Sequence, residues 1–155
     1  RYMICKYGMK LDAIKHPVLV EEARYEVMAE ELNDPQKIVN MFNDSVQLSD
    51  KAEEYLYMIA LDSKCNALGI FEVAHGTATQ CIMGTREILQ RALISGAVSM
   101  AVLHNHPSGN PIPSKEDRKS QKKMSDAGNI IGINLLDFII VGKDSYYSFK
   151  EERIM

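Results

Sequence analysis

Apolar residues along this chain fall into short runs of two periods, and the two kinds of run alternate. Val18-Leu19-Val20 and Tyr25-Glu26-Val27 follow Pro17 with enough alternation to predict a strand. Asn33-Asp34-Pro35 then reads as a helix start, an N-cap residue before proline at the first helical position. Ile38, Val39 and Phe42 continue it at helical spacing, so a helix is predicted from about Pro35 to Val46. Glu54 to Leu61 (EYLYMIAL) reads as a mostly buried strand and Asp62-Ser63-Lys64 as a turn. The apolar stretch from Ala67 to Val73 is its hairpin partner, with a polar loop expected at His75-Gly76-Thr77.

Thr85 can cap a second helix, with Ile88, Leu89, Ala92 and Leu93 on one apolar face and Gly96 as its stop. Val98 to Leu103 (VSMAVL) is short, apolar and bounded by glycine and proline signals, as a central strand should be, and it delivers His104. A third helix is predicted from Lys115 to Ala127, closed by Gly128. Ile130 to Val141 then supplies one long or two short strands, and Tyr146 to Phe149 a closing one. Helices that fall between sheet elements predict a layered α/β domain, an α-β-α arrangement around a mixed central sheet. Residues 1–33 read as an N-terminal extension with one strand and residues 34–155 as the domain, the two forming one compact unit.

A chain of 155 residues can bury a core without disulfides or metal staples, so any metal it binds is expected to serve chemistry. The formal net charge of -3 offers no global attraction to nucleic acid or to an anionic membrane, although a local basic face could. Cys5, Cys65 and Cys81 are odd in number and lack C-x-x-C spacing, so they suggest neither a disulfide framework nor a zinc ribbon, and a reducing, cytoplasmic setting is expected. No run approaches the roughly 20 apolar residues of a membrane span, and no signal-peptide core opens the chain, so no membrane partner is expected. A start at Arg1 rather than methionine leads us to expect residues upstream.

The informative segment runs from His104 to Asp117, HNHPSGNPIPSKED. Two histidines at i and i+2 on an extended strand end face the same side, so their imidazoles can converge on one ion. The Pro/Gly-rich loop then turns the chain so that Asp117, in the first turn of the next helix, can bring its carboxylate to the same point. Two nitrogens and one oxygen leave one position of a tetrahedral site open, the mark of catalytic rather than structural zinc, where a water's pKa falls toward about 7. His75 and Cys81 could approach from their loop, but loop and packing roles are the simpler reading.

The order H-x-H-P and then S-x-x-D at this distance resembles the signature of the JAMM (MPN-plus) metallopeptidases. The fuller wording HNHPSG with PS-x-x-D, preceded by TREILQRAL and followed by GINLLDFIIVG, is similar to the RadC-like branch of that superfamily. The likeness extends from about Asp34 to the C-terminus and implies a JAB/MPN fold, cytidine-deaminase-like in its layering. It also implies zinc on His104, His106 and Asp117, and an upstream glutamate as general base. Counting back from Leu61-Asp62-Ser63-Lys64 selects Glu54, with Glu53 as the alternative one register away; side-chain alternation allows at most one of them to face the metal. Ser114 is implied to help stabilise an oxyanion, and locally it is also placed to cap the helix that carries Asp117.

The implied reaction is hydrolysis of a peptide or isopeptide bond in an unidentified protein substrate. The rival reading is a nucleic-acid-associated module, drawn from Lys115, Arg118, Lys119, Lys122 and Lys123 along one helix, although Glu116 and Asp117 interrupt that run. A zinc deaminase is disfavoured, because H-x-E with P-C-x-x-C is absent. The tripeptide His104-Asn105-His106 is likewise not the dispersed residue set of HNH nucleases. One departure stands out: RadC-like chains commonly have Asp-His where this one has Asp137-Phe138, so a polar group beside the site is lost while Asp137 is left to serve the site or to bond nearby backbone.

Overall fold

The computed structural model describes residues 2–28, 31–76 and 84–155. Thr77 and Cys81 lie outside them. Among the described residues the chain forms a seven-stranded mixed sheet and three α-helices. In chain order these are β1 (Tyr2–Leu11), β2 (Pro17–Val27), α1 (Pro35–Ser45), β3 (Glu54–Leu61), β4 (Ala67–Gly76), α2 (Thr85–Ile94), β5 (Ser99–Asn105), α3 (Lys115–Ile131), β6 (Asn134–Val141) and β7 (Tyr146–Ser148). The strand order is β2-β1-β4-β3-β5-β6-β7, with β1–β4 and β5–β6 parallel and the remaining neighbours antiparallel.

Side-chain alternation on the central strands sorts the core into two layers. Tyr57, Ile59, Leu61, Ala101 and Leu103 face α1, where Ile38, Val39 and Phe42 meet them. Leu56, Met58, Ala60, Met100 and Val102 face the other way, against Ile88 and Ala92 of α2 and Met124 of α3. The predicted α-β-α layering is therefore what these residues build. The parity also decides the site: Glu54, His104 and His106 carry even numbers like the second group, and α3 packs on that face.

Several local expectations shift. β1 was not anticipated; it pairs with β2 along its whole length and joins the sheet through Lys6 and Tyr7, opposite Ile70 and Phe71 of β4. His75 is not in a loop, because β4 continues to Gly76. Gly84, not Thr85, is the N-cap of α2, and no side chain caps that end. α3 does not stop at Gly128. It continues to Ile131 and ends at Gly132 in the left-handed conformation, so Ile130 and Ile131 are helical and exposed rather than the start of β6. Gly128 serves packing instead: a Cβ there would stand 2.4 Å from the Ile133 carbonyl oxygen. Among the described residues no helix is long and apolar enough to cross a membrane, and Cys5 and Cys65 are free.

Candidate metal centre

The site forms where three elements end. β5 and β3 pair with Leu56 opposite His104, which sets the start of β3 beside the end of β5. The 106–114 loop returns over the end of β6, its course fixed by His106 N–H donating to the Val141 carbonyl and Lys143 N–H to the Gly109 carbonyl. Two glycines make this close approach feasible. Gly109 holds φ +88°, and a Cβ at Gly142 would meet the Gly109 carbonyl oxygen at 2.4 Å. The loop ends at Ser114, the N-cap of α3. Asp117 N–H donates to Ser114 Oγ at 3.1 Å, and Ser114 N–H donates back to Asp117 Oδ2 at 2.8 Å, a complete capping box with aspartate in the third position.

The two oxygens of Asp117 serve both that box and the histidines. Oδ2 lies 3.2 Å from His106 Nε2 while bonded to Ser114, and Oδ1 lies 2.9 Å from His104 Nε2. Each imidazole is oriented from its other nitrogen. His106 Nδ1 meets the Asn110 carbonyl oxygen at 2.9 Å, which only accepts and so holds the proton on Nδ1. His104 Nδ1 meets Glu54 Oε1 at 3.0 Å. Both rings thus turn Nε2 toward Asp117, which is the arrangement of histidines that ligate through Nε2 and are steadied through Nδ1.

Burial of His104 alone would push its imidazole pKa down, yet the Asp117 and Glu54 carboxylates outweigh it and hold the pKa above its ordinary value. Burial of Asp117 would raise its pKa, but the two imidazoles and the Ser114 amide hold it far below the usual carboxylate range. The His104–Asp117 contact has ion-pair distance without hydrogen-bond angles, so His104 Nε2 is a buried nitrogen lacking a hydrogen-bond partner. Such a group demands an explanation. A cation supplies one: donor atoms around a tetrahedral zinc with bonds of about 2.0–2.1 Å stand roughly 3.3 Å apart, close to the 2.9 and 3.2 Å seen here. Donor atoms of Glu54, His104 and His106 also lie within 4.8 Å of one another. These residues fit a divalent cation, and the mixed nitrogen and oxygen donors suit a first-row metal.

The two glutamates that sequence reasoning left open are separated by the strand. Glu54 is buried against His104, whereas Glu53 bonds His75 Nε2 at 2.9 Å on the exposed side, where His75 also stacks on Tyr55 with ring centroids 4.3 Å apart. His75 is thus accounted for outside the cluster. Asp137 is engaged away from the cluster: it accepts from Ser148 Oγ at 2.5 Å and from Lys150 N–H at 3.1 Å. Its pKa is raised, chiefly by burial. Phe138 closes the wall behind His104, with ring centroids 5.9 Å apart at 70°. Sequence reasoning passed over Asn105, which is buried between the histidines and bonded to the backbone around Glu54. A carboxamide closing a strand with an apolar centre was the available signal.

Fold and cluster together define a layered α/β domain with a buried histidine–carboxylate group able to hold a metal ion. Residues 32–154 match the family of the RadC-like JAB domain, and the chain belongs to that family, which is related to the JAMM proteins. Among its relatives, a UPF0758 protein of Thermotoga maritima is 35% identical over 124 residues, covering 76% of this chain and 56% of that protein. A UPF0758 protein of Desulfitobacterium hafniense is 34% identical over 124 residues, covering 80% and 54%, and one of Actinobacillus pleuropneumoniae serotype 5b is 36% identical over 124 residues, covering 80% and 56%. The chain spans about half the length of the relatives it matches.

Proposed function

We propose that this domain is a zinc-dependent hydrolase of the JAMM type that cleaves a peptide or isopeptide bond. The observation that carries the reading is the convergence of His104 Nε2 and His106 Nε2 on the Asp117 carboxylate while both Nδ1 atoms are tied elsewhere. His104, His106 and Asp117 would hold the ion, which when bound supplies Lewis acidity and a lowered pKa for water. Glu54 is the proton acceptor. A carboxylate offers about four lone-pair sites, so engagement of Oε1 by His104 leaves capacity to take a proton from water and return it to the leaving amine. Ser114 Oγ accepts from the Asp117 amide, which leaves its own proton free to donate to an oxyanion.

A cleavage screen over peptide libraries and isopeptide-linked peptides, run with the zinc-loaded chain and with Glu54→Gln, tests this. Cleavage by the wild type that falls at least about a hundredfold in the variant is expected from loss of general-base catalysis. Absence of cleavage by the wild type would count against a peptidase.

A second reading has one observation in its favour. Lys115, Arg118, Lys119, Lys122 and Lys123 line a single exposed face of α3, which would attract a polyanion such as nucleic acid. Two of the five are engaged within the helix, Lys119 with Glu116 at 3.9 Å and Lys122 with Asp126 at 3.2 Å, which weakens that field. A DNA-binding titration at several salt concentrations separates the readings: a steep loss of affinity with salt supports the polyanion, and no binding at low salt removes it.

A further inference from the structure

Asn105 stands between the two histidines, is 1% exposed and does not join their cluster. Its carboxamide grips the neighbouring strand on both sides of Glu54. Oδ1 accepts from Tyr55 N–H at 2.8 Å, and Nδ2 donates to the Glu53 carbonyl at 2.9 Å, with the Lys51 carbonyl 3.4 Å away. The β3–β5 ladder stops at Leu56 opposite His104, so this side chain takes over where backbone pairing ends. The segment it holds presents Glu54 Oε1 to His104 Nδ1 at 3.0 Å. A single residue therefore links the strand carrying one histidine to the carboxylate that this histidine meets.

Few side chains could do this. A carboxamide has a donor and an acceptor in one planar head on a short stem. Aspartate at this position could accept from Tyr55 but could not donate to the Glu53 carbonyl. Alanine would take this partner from both of those part-buried backbone groups, at a cost for each of up to that of a lost hydrogen bond.

We propose that Asn105 is a positioning residue: it fixes Glu54 against His104 Nδ1 and, through Glu54, aims His104 Nε2 at Asp117. The inference rests on the reading of His104 as a metal-site residue, while the contacts it invokes are present without metal. Its consequence for the ion is indirect. Outer partners of a ligating histidine typically change metal affinity by 10–100-fold.

The test has a metal-free arm and a metal arm, both on the full chain. In the first, nitrogen-15 imidazole spectra report which nitrogen of His104 and His106 carries the proton. Read at alkaline pH, where each imidazole carries a single proton, wild type is expected to show that proton on Nδ1 in both. In Asn105→Ala the His104 pattern is expected to become an average of tautomers, while His106, held by the Asn110 carbonyl, stays as it was. In the second arm, zinc affinity is measured by chelator competition in a double-mutant cycle. Asn105→Ala is expected to weaken zinc about tenfold in the wild-type background, and less than about twofold when added to Glu54→Ala.

A clamp that only supports the strand end would lower Tm, leave the His104 spectrum unchanged and weaken zinc equally in both backgrounds; either of the last two results overturns the proposal. If Asn105→Ala does not fold, Asn105→Asp replaces it and is expected to show the same His104 change in smaller degree. Should the wild type fail to bind zinc, the metal reading falls, and the His104 spectrum alone decides the role of Asn105.

Discussion

Glu53 and Glu54 each pair with a histidine, at 2.9 and 3.0 Å, yet the two pairs have opposite characters. His75 and Glu53 have side-chain exposures of 40% and 58%, whereas His104 and Glu54 have 0% and 10%. The exposed pair is screened by water, so it is worth about 0–1 kcal/mol. The buried pair is enclosed, and its histidine is met by a second carboxylate, Asp117, on its other nitrogen. One step along β3 separates a surface contact from a candidate metal centre. Strand parity, not residue chemistry, makes the difference.

That contrast can be broken most severely at Asp117. Removing a buried charge that two imidazoles and a helix cap share should cost about 3 kcal/mol in Asp117→Ala, read by urea denaturation of the metal-free protein. A loss below about 1 kcal/mol would mean that the buried cluster behaves like the exposed pair.

The same contrast appears in the pH dependence of the metal-free protein. The depressed pKa of Asp117 contributes stability that is fully present above about pH 5 and is lost as pH falls through its unfolded value near 4 toward its lower folded value. The raised pKa of His104 contributes stability that is complete below about 6.5 and is lost as pH rises through its folded value. Stability should therefore peak between about pH 5 and 6.5. In His104→Ala the decline on the alkaline side should be shallower, as chemical denaturation across pH would show.

Ser114 separates capping from chemistry. Ser114→Ala should cost about 1 kcal/mol and Ser114→Gly only a few tenths, because glycine is a tolerated N-cap. Both remove the hydroxyl, so a shared loss of turnover assigns it to the reaction, while a loss confined to the alanine variant assigns it to the cap. The smallest effect belongs to the exposed pair. Glu53→Gln should change stability by less than about 0.5 kcal/mol and leave metal content as it was.

How much could be read in the chain depended on the physical signal at each place. The histidines, the loop and Asp117 were legible because i, i+2 parity and proline–glycine chemistry act over a few residues. Asp34 and Pro35 announced α1 for the same reason. β1 was opaque: of its residues only Ile4 is buried, and they gain their place by pairing with β2 and β4, which is a long-range effect. The ends of α3 and β4 were misread where local cues competed. Gly128 imitates a helix stop but accommodates the Ile133 carbonyl, and His75 resembles a loop residue but stacks on Tyr55. Choosing Glu54 over Glu53 needed the sheet register, because only the pairing of Leu56 with His104 settles which glutamate meets the cluster.

The central claim is that His104, His106 and Asp117 hold one zinc ion, and metal analysis of the purified wild type beside His106→Ala tests it most directly. Zinc at one equivalent per chain in the wild type and near absence in the variant is the expected result. Equal metal in the two proteins would contradict the assignment.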